Sequence, residues 1–257
     1  MPRRRQRSAN YWRAMIAMMI AGVFGVFAVA AMSIPAATDA ATNCRLDRKD
    51  PAHTVILIDQ SDPFRANDVA WVRELVEAEA RALPRAGRLT VMQPDLGDPY
   101  APRALFSACS TGSPDRANPV LSNPRMIEDT WRSEFRAPVI ESVEMALRDT
   151  RQPQSPLMET LFAIADRPDF RAGGRGLRLV IVSDLMQHSQ GFSFYRAGAD
   201  PQAYGATRLA QRVPDLSGTE VVARIVPRDV YDLPLGEVRA FWRGWFAATG
   251  ADYGAVN

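Results

Sequence analysis

Asp59-Gln60-Ser61-Asp62-Pro63 carries the densest chemistry in the chain. Carboxylate and hydroxyl oxygens alternating along a loop are what a hard cation such as Mg²⁺ accepts. A second carboxylate, Asp184, and another hydroxyl, Ser155, stand far away in sequence and join the first group only if the fold delivers them. A purely structural role competes with this one. Asp59 and Asp184 would then cap turns, Asp62-Pro63 would open a turn and Ser155-Pro156 would open a helix.

The elements around these residues favour convergence. Thr54–Asp59, TVILID, and Leu177–Asp184, LRLVIVSD, are continuous apolar runs that each end on a carboxylate, as strands buried on both faces do. Thr219–Val226, TEVVARIV, is a third such run. Helical patterns lie between the runs, which makes the class α/β, a mainly parallel open sheet with helices on both faces. Ligands of such sheets gather at the carboxyl ends of the strands, where both aspartates fall.

Between the runs, Val69, Val72, Leu75, Val76 and Leu83 predict an amphipathic helix over 67–83 that stops at Pro84. Arg88–Gln93 and Arg103–Ser107, separated by a Pro/Asp/Gly-rich turn, predict a hairpin whose second strand runs antiparallel near an edge. Met126–Arg148 reads as a long helix with Trp131, Phe135, Val139, Val143 and Leu147 inward and a break or kink at Pro138. A shorter helix is expected from Pro156 with Ser155 as its N-cap, then a helical segment over 201–213 and a last helix over 235–249.

This arrangement resembles the von Willebrand factor A domain family. In that family a DxSxS motif follows the first strand, a threonine sits in a later helix-preceding loop and an aspartate follows the fourth strand. Asp59, Ser61, Ser155 and Asp184 match those positions in order, over a resemblance that covers roughly 54–249. The resemblance implies a Rossmann-like sheet of order 3-2-1-4-5 with the third strand antiparallel. It also implies a divalent ion, Mg²⁺ with Mn²⁺ or Ca²⁺ as alternatives, on those four residues, and a protein partner whose carboxylate completes the ion's shell. Two departures stand out: Pro63 replaces the second serine of the motif and Ser155 replaces the threonine.

Around the same edge, Asp62, His188, Phe192, Phe194 and Tyr195 are candidate partner-binding residues. Exposed aromatics suit a protein interface, whereas the opposing expectation folds the rings back over the sheet end. His53 and His188 are the only histidines, and neither sits in a Ser-His-Asp or HExxH pattern. No catalytic residue is assigned. The alternatives to a binding module are a metal-dependent hydrolase using the same carboxylates and a metal-free scaffold of an envelope or transfer complex.

At the other end of the chain, Arg3, Arg4, Arg5, Arg7 and Arg13 precede an uncharged stretch from Ala14 to Thr38. At about 1.5 Å per residue that stretch exceeds the roughly 30 Å hydrocarbon core. The basic flank predicts a cytoplasmic tail over 1–13, one bacterial inner-membrane span over 14–38, a linker over 39–53 and a periplasmic domain over 54–257. A cleaved signal peptide is the rival, given the small residues over 36–41, although signal h-regions run only about 7–15 residues. Subtracting the five tail arginines from the net +2 leaves −3 beyond residue 13, so charge does not suggest nucleic acid. No motif asks for an organic cofactor.

Cys44 and Cys109 are the only cysteines. In an oxidising compartment an even count points to a disulfide. The antiparallel third strand of the implied topology carries Cys109 to the end of the sheet where Cys44 enters. Two buried free thiols remain the alternative.

Overall fold

The computed structural model describes residues 3–32, 36–47, 49–61, 63–116, 123–148, 152–172, 176–226, 228 and 233–256. Residues 1–37 and 38–257 form two separate units. The first is one helix, α1 (Arg3–Met32), whose stretch Tyr11–Val29 is long and apolar enough to cross a membrane.

In the second unit the apolar runs become the centre of a six-stranded sheet. β1 (His53–Ile58) lies between β2 (Arg88–Gln93) and β4 (Leu177–Ser183), and every residue of β1 is buried. β3 (Arg103–Cys109) pairs antiparallel with β2 at one edge, and β5 (Thr219–Ile225) pairs parallel with β4. The strand period of two divides the apolar side chains between two layers. Val55, Leu57, Leu179 and Ile181 face α5 (Leu157–Ala165) and α9 (Leu235–Ala248), while Ile56, Ile58, Val180 and Val182 face α2 (Ala66–Ala82) and the helical stretch beginning with α3 (Pro124–Trp131).

Several elements differ from their sequence-based forms. A sixth strand, β6 (Asp252–Val256), extends the order to β3-β2-β1-β4-β5-β6. It is mostly exposed and lacks an apolar run, so periodicity does not reveal it; Tyr253 anchors it by stacking on Phe246 at 4.4 Å. The break near Pro138 is a wide π-type turn over Arg132–Arg136, closed by Ala137 N–H donating to Arg132 O, before α4 (Ala137–Arg148). Proline has no N–H to continue the regular ladder, and the wider turn keeps Trp131, Phe135, Val139, Val143 and Leu147 buried. After α6 (Pro168–Ala172) and α7 (Phe194–Ala197), the segment expected to be helical over 201–213 is a short α8 (Pro201–Gly205) followed by a single tight turn at Leu209–Gln211.

At the amino end of the sheet, Cys44 and Cys109 form a disulfide, and Arg88 Nε donates to Asp50 at 2.8 Å beside it. His53 is 1% exposed on the same edge. Its Nδ1–H donates to the carbonyl of Asp169 at 3.2 Å and its Nε2 accepts from Thr90 Oγ1 at 2.9 Å. Burial pushes this imidazole from 6.5 down to about 4. The unfolded chain therefore takes up the proton first, so the stability His53 supports is complete above pH 6.5 and is lost as pH falls toward 4. The loss over that window is expected to reach about 3 kcal/mol. Urea unfolding at stepped pH should show the slope, and His53→Gln should flatten it.

Candidate functional site

Because β1 and β4 are parallel neighbours, their carboxyl ends meet. Asp59 N–H donates to Val182 O at 2.9 Å, which continues the β1–β4 pairing one residue past the strand and turns the Asp59 side chain inward, where it is 1% exposed. Its Oδ2 accepts from Ser155 Oγ and from Ser183 Oγ, both at 2.7 Å, and its Oδ1 accepts from Ser61 N at 3.1 Å. Burial raises the Asp59 carboxyl above its ordinary value, and hydrogen bonds from Ser155, Ser183 and Ser61 offset this only in part.

The fold thus joins Asp59 and Ser155 across 96 positions of sequence. Ser155 does not cap the following helix. Pro156, at ψ 57°, is not yet helical, and the N–H of Met158 in the first turn of α5 donates to Gln187 Oε1 at 2.9 Å instead. A backbone pair holds the loop: Ser155 and His188 exchange N–H···O bonds of 2.8 Å in both directions.

Asp184, 2% exposed, follows Ser183 directly. Its Oδ1 accepts from Met186 N at 3.0 Å and its Oδ2 from Arg228 Nε at 3.3 Å. Arg228 Nη1 also donates to the carbonyl of Pro63 at 3.2 Å. Leu185, next along, sits at φ 65°, and its carbonyl accepts from Trp242 Nε1 at 2.9 Å. Sequence reasoning missed Ser183 and Arg228. The available signals were a hydroxyl as the last residue of a buried run and a base just beyond the carboxyl end of the strand next to β4.

Above this network is a cavity of about 330 Å³ lined by Ser61, Gln152, Ser155, Met186, His188 and Tyr195. His188 Nδ1 and Ser193 Oγ share a hydrogen bond of 2.8 Å, and the ring meets Tyr195 edge-on at 5.2 Å. Tyr195 is half exposed, while Phe192 and Phe194 are 3% and 1% exposed. The expectation that all three rings face a partner is corrected for the two phenylalanines. They pack on Phe241 of α9, because two large apolar rings gain more from closing the core than from standing in water. Asp62 lies outside the described residues.

A divalent ion does not fit this donor set. The Asp184 oxygens are already engaged by a guanidinium and a backbone N–H, and both Asp59 oxygens already accept hydrogen bonds from serines. Pro63 offers no side-chain oxygen, and its carbonyl is turned to Arg228. Among the residues lining the cavity, Ser61 and Ser155 bring hydroxyls and none is a carboxylate. A hard cation selects charged oxygens before such groups. Elsewhere among the described residues, Cys44, Asp50 and Cys109 bring ligand-type atoms within 4.8 Å of one another. There the two sulfurs are bonded to each other, so neither is the thiolate a metal takes while the bridge is intact.

No protein-family model matches the chain, and no curated relative matches it either. Among solved structures, the chain is similar over 81% of its length to the ArnB paralog VWA2 from Sulfolobus acidocaldarius, with 10% identity and a TM-score of 0.45, covering 42% of that chain. A pilus adhesin, SpaC from Lactobacillus rhamnosus GG in its open conformation, is similar over 81% with 10% identity and a TM-score of 0.46, covering 28% of that chain. An aerotolerance-related membrane protein from Bacteroides fragilis NCTC 9343, carrying multiple mutations to serines, is similar over 80% with 12% identity and a TM-score of 0.35, covering 92% of that chain. The chain spans less than half the length of the first two. With its antiparallel third strand beside a parallel 2-1-4-5-6 core, and its carboxylate-and-hydroxyl loop at the carboxyl end of β1, the chain has a von Willebrand factor A-like fold.

Proposed function

We propose that this protein is a membrane-tethered von Willebrand factor A-like module that binds another envelope protein through the carboxyl ends of β1 and β4. In this reading residues 14–38 cross the bacterial inner membrane, the basic tail 1–13 stays in the cytoplasm, 39–53 is a linker and 54–257 works in the periplasm. The disulfide supports the placement, since such bridges persist in oxidising compartments. The observation that carries the binding role is the open cavity flanked by the exposed Tyr195 ring and His188, above the hydrogen-bonded Asp59–Ser155 pair. A half-exposed tyrosine held edge-on against His188 offers contact area at small entropic cost.

The divalent ion expected from the motif is left out of this reading because Arg228 already holds Asp184. The hydrolase alternative loses its ion-held water for the same reason. A photoreactive phenylalanine analogue at position 195, introduced in the native cells, tests the binding face against the same probe at Arg73, on the outward side of α2. A discrete adduct from position 195 and none from 73 is expected, and Tyr195→Ala should weaken binding of the captured protein at least about tenfold. Irradiation that yields no adduct at 195 would leave the scaffold reading in its place.

A further inference from the structure

We infer that Arg228 is a built-in cation, standing against Asp184 in place of a hydrated divalent ion and making this face independent of metal. The inference concerns the site's own ion chemistry and holds whether or not a protein partner is found.

Arg228 enters from beyond β5, on the same edge as Asp184, because Val226 N–H donates to Ser183 O at 3.1 Å and so keeps the chain alongside β4 past the end of the strand. The guanidinium reaches two groups that an ion would have needed. Nε takes Asp184 Oδ2, and Nη1 takes the carbonyl at Pro63, where the motif loses its second serine. The two departures are thus complementary. A proline that supplies no hydroxyl presents a carbonyl instead, and a planar, permanently charged donor group uses that carbonyl together with the carboxylate. Both charged groups are nearly out of water, with side-chain exposures of 11% for Arg228 and 3% for Asp184. A buried carboxylate needs a charge partner, and a second cation beside the first would be repelled.

If Arg228 is what excludes the ion, removing it should create a site. Asp184 Oδ2 would lose its guanidinium partner, and a hydrated Mn²⁺ or Mg²⁺ can take the place of that charge. The test is Mn²⁺ binding to the full chain in detergent micelles, read from the loss of the free-ion electron paramagnetic resonance signal. Wild type and Arg228→Lys should leave the signal unchanged. Arg228→Ala and Arg228→Gln should bind Mn²⁺ at least about tenfold more tightly than wild type. Adding Asp184→Asn should abolish that gain, which separates the site from scattered surface carboxylates. Far-ultraviolet circular dichroism establishes that each variant is folded, with the glutamine variant serving if the alanine variant is not. Mn²⁺ binding by wild type that Asp184→Asn removes would overturn the inference. So would folded Arg228 variants that ignore the ion, because Pro63 alone would then account for its exclusion.

Discussion

Cys44→Ser or Cys109→Ser is expected to lower the free energy of unfolding by about 4 kcal/mol, as is reduction of the bridge in the wild type. The disulfide spans 65 residues of sequence and encloses β1, α2, β2 and nearly all of β3. In the unfolded chain that constraint removes the entropy of closing a long loop, and the folded chain satisfies it without rearrangement. The linker gains as well: Cys109 N–H donates to Thr42 O at 2.8 Å, so the segment entering the domain lies against the edge of β3. Guanidinium unfolding with and without reductant measures the effect, and the double serine variant should match either single one. A loss below about 1 kcal/mol would mean that the chain already holds this end together without the bridge.

Trp242→Ala is the second large effect, expected at about 3–5 kcal/mol. The indole is 1% exposed and touches Phe194, Phe241, Trp245 and Phe246, which together close one layer of the core over the sheet. Its N–H donates to the carbonyl of Leu185, the residue with positive φ directly after Asp184. That conformation costs a residue with a β-carbon about 1–2 kcal/mol, so an external anchor is required to hold it. Trp242→Phe keeps most of the packing and removes the donor, for an expected loss of about 1 kcal/mol. The two variants, compared by thermal unfolding, separate core filling from support of the Asp184 turn.

The frame of this molecule was readable because its central strands are buried on both faces. TVILID and LRLVIVSD have no polar alternation to confuse with a surface strand, and their closing aspartates mark the edge where ligands of such sheets collect. The pairing of Asp59 with Ser155 followed from the resemblance, which aligned two loops that no local signal connects. Ser183 and Arg228 were not readable for a related reason. A hydroxyl ending a strand has several local uses, and an arginine after one strand reveals its partner only once the neighbouring strand and its register are known. Phe192 and Phe194 show the limit of composition. A Gly/Ser-containing loop looks exposed, yet its rings fill the gap above Phe241. β6 went unseen because its five residues are held by pairing with β5 and by one stacked tyrosine rather than by burial of the strand itself.

A chelator tests the metal-free binding face most directly. The photocrosslink from position 195 is formed in native membranes with and without EDTA, at equal protein and light dose. Adduct of the same mass and yield in both samples is the expected result, since Asp184 draws its counter-charge from Arg228. Disappearance of the adduct in EDTA, with recovery on adding Mg²⁺ or Mn²⁺, would contradict it.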